Sequence, residues 1–158
     1  MQKVTILNSK EVKKIREILV RDYDYCLEKD YAYLKNPNGN IFLVNKDLDK
    51  INLRNLIVDK IGLYFAEDNN NQFRLSKEGA QLLFNEAKKN KKKLKNVVEL
   101  DSEEIKKYFH GEELVKDLGS ENRFVLLKYA SDVFGCAKYK EGKIINFLPK
   151  IHRGEVIL

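Results

Sequence analysis

The 158-residue chain has no tryptophan and only two cysteines and two histidines. Cys26 and Cys136 stand in separate regions with no pairing pattern. That excludes a disulfide framework and fits a reduced, cytoplasmic protein. His110 and His152 are far apart, with no cysteine or carboxylate at ligand spacing, so no zinc site is expected. No run of eighteen apolar residues exists, which excludes a membrane-spanning helix. The opening Met1-Gln-Lys-Val-Thr-Ile-Leu-Asn8 lacks the apolar core of a signal peptide. What is present is a chain with 43% hydrophobic and 34% charged residues, enough for a real core in one domain or two small lobes.

The net charge of +6 is unevenly spread. Residues 1–87 carry 14 basic and 13 acidic groups, residues 88–95 six lysines, residues 96–122 three basic and eight acidic groups, and residues 123–158 seven basic and three acidic groups. Positive charge therefore gathers in a central run and in the C-terminal strands, the footprint of a polyanion binder. For residues 88–95 a solvated helix end is an equally good reading, because cations are favoured at a helix C-terminus.

Apolar periodicity predicts a helix over 9–21, with Val12, Ile15, Ile18 and Leu19 on one stripe and Asn8 or Ser9 as cap. Residues 31–35 and 40–45 alternate around Asn36-Pro-Asn-Gly39, a hairpin signal. A helix over 47–59 follows, with Leu48, Ile51 and Leu56 inward, then strands at 61–66 and 72–75. Ser76 caps a helix to about 89, with Ala80, Leu83, Phe84 and Ala87 on its stripe. Past Asn96 come a strand at 97–100 and a helix opened by Asp101 with Glu104 and closed near Gly111. Three short strands, 123–130, 133–140 and 143 onward, are separated by turns at Ser131-Asp132 and Glu141-Gly142. The pattern is α+β, with a lobe at 1–95 and a smaller, strand-rich lobe at 96–158 suited to a small β-barrel.

Phe134-Gly-Cys-Ala-Lys138, a short turn, Lys143-Ile-Ile-Asn146 and Leu148-Pro-Lys150 resemble the C-terminal RNA-binding region of the Sun/RsmF family of RNA cytosine methyltransferases. Ile61-Gly-Leu63, Phe73-Arg-Leu75 and Tyr108-Phe-His-Gly-Glu112 resemble that family's upstream motifs in the same order, so the likeness spans about residues 30–153. The lobe order is also similar to the Nip family of ribosome-biogenesis factors, in which a pre-PUA lobe precedes a PUA domain. The resemblance implies an α/β pre-PUA-like lobe followed by a PUA-like pseudobarrel that binds structured RNA, rRNA or tRNA, in RNA modification or ribosome biogenesis. A separate RNA-modifying enzyme or ribosome-assembly protein is the implied protein partner. The family's Pro-Cys nucleophile motif and a glycine-rich methyl-donor loop are missing, and its catalytic domain would lie before residue 1. The chain is therefore expected to be a non-catalytic binder without a cofactor, the RNA-binding half standing alone. The other readings are an accessory subunit of an RNA methyltransferase and a protein-interaction module with a basic face.

Backbone binding needs cations that converge on phosphates, with a few donors that fix register. Lys138, Lys143 and Lys150 are the leading RNA-binding candidates, with Arg153 next and Asn146 as a polar reader, although Asn146 could equally cap the strand end or bond a turn. By period 2, Lys138 and Lys140 share a strand face with Cys136. Base stacking needs an exposed ring beside cations. Tyr129 and Tyr139 are the candidates for it, with edge packing the stronger reading of both, while Phe73, Phe84, Phe109 and Phe124 sit at core spacing. Gly135 reads as a bulge or close-approach position that could also admit an RNA backbone, and Gly111 as a helix C-cap.

Overall fold

A computed structural model describes residues 3–47, 62–148 and 150–154. The helix expected over 47–59 falls almost wholly outside the described residues. The chain is α+β and divides into two compact units, Met1–Lys95 and Asn96–Leu158. Among the described residues no helix is long and apolar enough to cross a membrane.

The N-terminal unit runs β1 (Thr5–Ile6), α1 (Ser9–Tyr23), β2 (Tyr31–Lys35), β3 (Asn40–Asn45), β4 (Leu63–Asn69), β5 (Gln72–Leu75) and α2 (Lys77–Lys89). Helix α1 opens on a capping box. The Glu11 amide donates to Asn8 Oδ1 at 3.0 Å and the Asn8 amide to Glu11 Oε2 at 2.9 Å, satisfying two amides that the first turn leaves without partners. Its stripe buries Ile15, Leu19 and Tyr23. The strands form one antiparallel sheet in chain order, β1-β2-β3-β4-β5. In the β2–β3 turn, Asn36 Oδ1 accepts from the Asn38 and Asn40 amides at 3.0 and 2.9 Å. The β4–β5 turn sets Asn70 and Asn71 at φ 51° and 61°, the pair of left-handed residues that matches strand twist in a tight hairpin. Ser76 caps α2 by accepting from the Gly79 amide at 2.8 Å, and α2 buries Ala80, Leu83 and Ala87.

The C-terminal unit runs β6 (Val97–Glu99), α3 (Ser102–Phe109), β7 (Leu114–Val115), β8 (Arg123–Tyr129), β9 (Asp132–Lys140), β10 (Lys143–Ile145) and a 3-10 turn (Lys150–His152). Its curled sheet has the order β6-β8-β9-β10-β7, with β6 parallel to β8 and every other pairing antiparallel. Asp101 and Glu104 form the capping box of α3, at 2.8 and 2.9 Å. One core fills the unit: Val98, Leu100, Tyr108, Leu114, Val125, Leu127, Ala137, Tyr139 and Ile144.

Gly79 gives a test of the N-terminal packing. A β-carbon there would lie 2.0 Å from the Phe65 carbonyl oxygen, so the start of α2 rests directly on the β4 backbone. Helix propensity alone favours Gly79→Ala by about 1 kcal/mol. The contact predicts the opposite sign, a loss of about 2–3 kcal/mol from overpacking. A urea melt of the variant distinguishes the two.

Candidate nucleic-acid interface

Strands β8, β9 and β10 are joined by tight turns, and their pairing decides which side chains meet. Val125, Leu127, Ala137, Tyr139 and Ile144 point to the core. Alternation then puts Phe124, Leu126, Cys136, Lys138, Lys140, Lys143 and Ile145 on the opposite face, where Leu126 and Cys136 are buried and the end bearing the lysines is open. The register sets Lys143 directly across from Lys140, and Lys138 between Phe124 on β8 and Ile145 on β10. Lys140 and Lys143 are exposed and Lys138 is half-buried. Glu113 approaches Lys143 Nζ only to 3.9 Å, and no carboxylate pairs with Lys138 or Lys140 among the described residues. Like charges placed directly opposite on a sheet are destabilising, so this face concentrates cations against the interest of the fold. Lys140 joins the site although it was not among the leading candidates. Its spacing from Lys138 is the signal that places it there.

The other candidates gather at the end of α3. Asn146 Nδ2 donates to the Tyr108 carbonyl at 2.6 Å and the Glu112 carbonyl at 3.0 Å, and Oδ1 accepts from the Leu148 amide at 2.9 Å. Its amide is thus used within the fold, tying the end of β10 to the end of α3, which runs against a role as polar reader. Arg153 Nε donates to the Leu148 carbonyl at 3.1 Å. Arg153 also lies against Gly111, where a β-carbon would meet its Cδ, Nε and Cζ at 2.7 Å. Gly111 is the left-handed residue (φ 90°) that ends α3. Its amide bonds Tyr108 and the next amide, Glu112, bonds Lys107, the Schellman arrangement. The glycine therefore both ends the helix and makes room for the arginine. Lys150 is exposed at the start of the 3-10 turn.

The structure decides two aromatic positions. Tyr139 is 1% exposed, with its hydroxyl donating to the Gly119 carbonyl at 2.8 Å and accepting from the Leu118 amide at 3.0 Å. It is a core residue, not a stacking ring. Phe124, expected in the core, lies on the lysine face with Lys138 Nζ 5.7 Å from its ring centroid. Gly135 pairs with Leu127 on the core side, and a β-carbon there would meet only the Tyr108 hydroxyl, at 3.7 Å. Its missing side chain does not open the outer face.

The central lysine run is tied to the rest of its unit by Leu94 and by backbone hydrogen bonds. Its six lysines are exposed, but Leu94 is 7% exposed and the Lys95 amide donates to the Tyr23 carbonyl at 2.9 Å. Lys91 takes the left-handed position (φ 55°) after α2. The Lys91 and Lys92 amides bond the Lys88 and Ala87 carbonyls, a second Schellman arrangement.

Residues 95–153 match the family model of the methyltransferase RsmF PUA domain. The C-terminal unit is a PUA-like domain. The match covers this unit and not residues 30–94, over which the sequence likeness also ran. No curated protein matches the chain. PUA domains bind RNA and occur in RNA methyltransferases, so an RNA-binding role is supported at that level.

Within the PUA-like domain, Asn146→Ala removes donors from two carbonyls at the α3 terminus. Stability falls by about 1–3 kcal/mol, while RNA affinity per folded molecule is unchanged. Thermal melting paired with a binding titration well below the melting temperature checks both halves of that expectation.

Proposed function

We propose that the chain is a non-catalytic RNA-binding protein. It docks on structured rRNA or tRNA through the outer face of the PUA-like sheet and serves RNA modification or ribosome biogenesis in the cytoplasm. The observation that carries this reading is the convergence of Lys138, Lys140 and Lys143 across two adjacent strands, with Lys140 and Lys143 opposite one another. Three ammonium groups, of which only Lys143 has a carboxylate within 4 Å, form a site for consecutive phosphates, because phosphate oxygens and released counterions repay the repulsion among the lysines. Lys150, exposed on the 3-10 turn, adds a fourth cation. The exposed lysines of residues 88–95 add a pull that is independent of RNA sequence. Arg153 packs against Gly111 at the end of α3 and supports the domain more than it reads RNA.

The non-catalytic part of the reading rests on the cysteines. Cys136 is buried in the sheet, and Cys26 follows Tyr25 with no Pro-Cys motif. The match to a methyltransferase's PUA domain favours one further reading, an accessory subunit that presents RNA to a methyltransferase. Raised methyl transfer when the chain is mixed with such an enzyme, together with co-purification, would support it.

Replacing Lys138, Lys140 and Lys143 together by alanine should weaken binding to a tRNA or an rRNA fragment by at least tenfold at low salt. It should also flatten the plot of log affinity against log salt by about two to three. Filter binding across a salt series measures both quantities. An unchanged slope in a folded variant would remove the sheet face from the RNA contact.

A further inference from the structure

The lysine face is not uniformly polar. Phe124 on β8 is half-buried, and its partner across the ladder is Lys138. Ile145, on the far side of Lys138, is half-buried as well. Val115 on the edge strand β7 stands opposite Lys143 and is 82% exposed. Apolar side chains and lysines thus alternate across this face, with Lys138 between Phe124 and Ile145. No aromatic ring pairs with Phe124 among the described residues. What covers it is the Lys138 ammonium, 5.7 Å from the ring centroid. A cation over a ring at a water-accessible site is weakly held, whereas a nucleobase stacked on a protein ring is held more firmly. An aromatic platform beside cations that track a backbone is how single-stranded nucleic acid is gripped.

We propose that Phe124 is a stacking platform for an unpaired nucleobase. Lys138 covers the ring in the absence of RNA and turns to a backbone phosphate when the base enters, while Lys140 and Lys143 hold the neighbouring phosphates. The proposal rests on the lysine face meeting RNA and goes further by naming the ligand class: a loop, bulge or single strand, not a continuous duplex. Bases inside a helix have their faces covered by neighbours and cannot reach the ring. Every base presents a π face, so the platform selects unpaired structure and not one base type.

The chain has no tryptophan, so Phe124→Trp introduces a single indole at the site. The probes are a short RNA hairpin with an unpaired loop and the blunt duplex of the same stem. Binding of the hairpin should quench the indole emission to saturation, and the duplex should leave it unchanged. Phe124→Leu keeps apolar bulk but loses the ring. It should weaken hairpin binding about tenfold or more, with the duplex affinity and the salt slope as in the wild type. Hairpin binding with unquenched emission would overturn the platform. So would a Phe124→Leu variant that binds the hairpin as the wild type does, or loses equally on both RNAs. In each of those cases the lysine reading survives. A wild-type protein that binds neither RNA would overturn both readings.

Discussion

The two-residue turn at Glu141-Gly142 governs what this sheet presents to solvent. Glu141 and Gly142 take φ of 50° and 79°, which closes the hairpin with Lys140 and Lys143 as its last paired residues. The Glu141 amide is held by Asn122 Oδ1 at 3.2 Å. Side chains alternate with a period of two, so a slip of one residue would drive Lys138 and Lys140 into the core and push Tyr139 out. Tyr139 opposes the slip from inside, because its hydroxyl is matched to the backbone at Leu118 and Gly119. The core thus fixes the register, and the register assembles the cations.

The same economy operates at the other end of the PUA-like domain. Helix α3 is short, and its terminal carbonyls lie where the last strand leaves the sheet. Asn146 serves the Tyr108 and Glu112 carbonyls at once, and the Gly154 amide donates to the Phe109 carbonyl at 2.9 Å. A small domain with one core gains stability from few sources. Polar side chains near its termini are therefore drawn into helix capping before they become available for a ligand.

Much of this was legible in the sequence, for local reasons. Asn8 with Glu11 and Asp101 with Glu104 each satisfy amides within one turn, and Asn36-Pro-Asn-Gly39 carries its turn chemistry in four residues. Lys138 and Lys140 share a face by simple alternation. That Asn146 bonds a turn was one reading its position left open, but its contacts to Tyr108 and Glu112 and the role of Arg153 were not legible, because they depend on residues 146–153 meeting a helix terminus more than thirty residues earlier. Phe124 was misplaced for another reason. Its strand, Arg123-Phe-Val-Leu-Leu-Lys-Tyr129, is apolar at consecutive positions, so alternation within it names no face. Only pairing with β9 reveals that the ring lies beside lysines.

The lysines outside the sheet bear on the same question of what the charge is for. Lys88 and Lys89 lie in the last turn of α2, where the helix favours cations. That account stops at Lys91. A left-handed conformation costs a side-chain-bearing residue about 1 kcal/mol relative to glycine, yet a lysine occupies it. Lys92 and Lys93 lie beyond the turn in which the helix end exerts its pull. Two separate places in the chain thus hold lysine where folding alone favours something else: the left-handed cap of α2 and the facing pair Lys140 and Lys143. Of the two, only the facing pair bears on a ligand, because residues of either charge, Glu141 among them, take the left-handed conformation elsewhere in the chain.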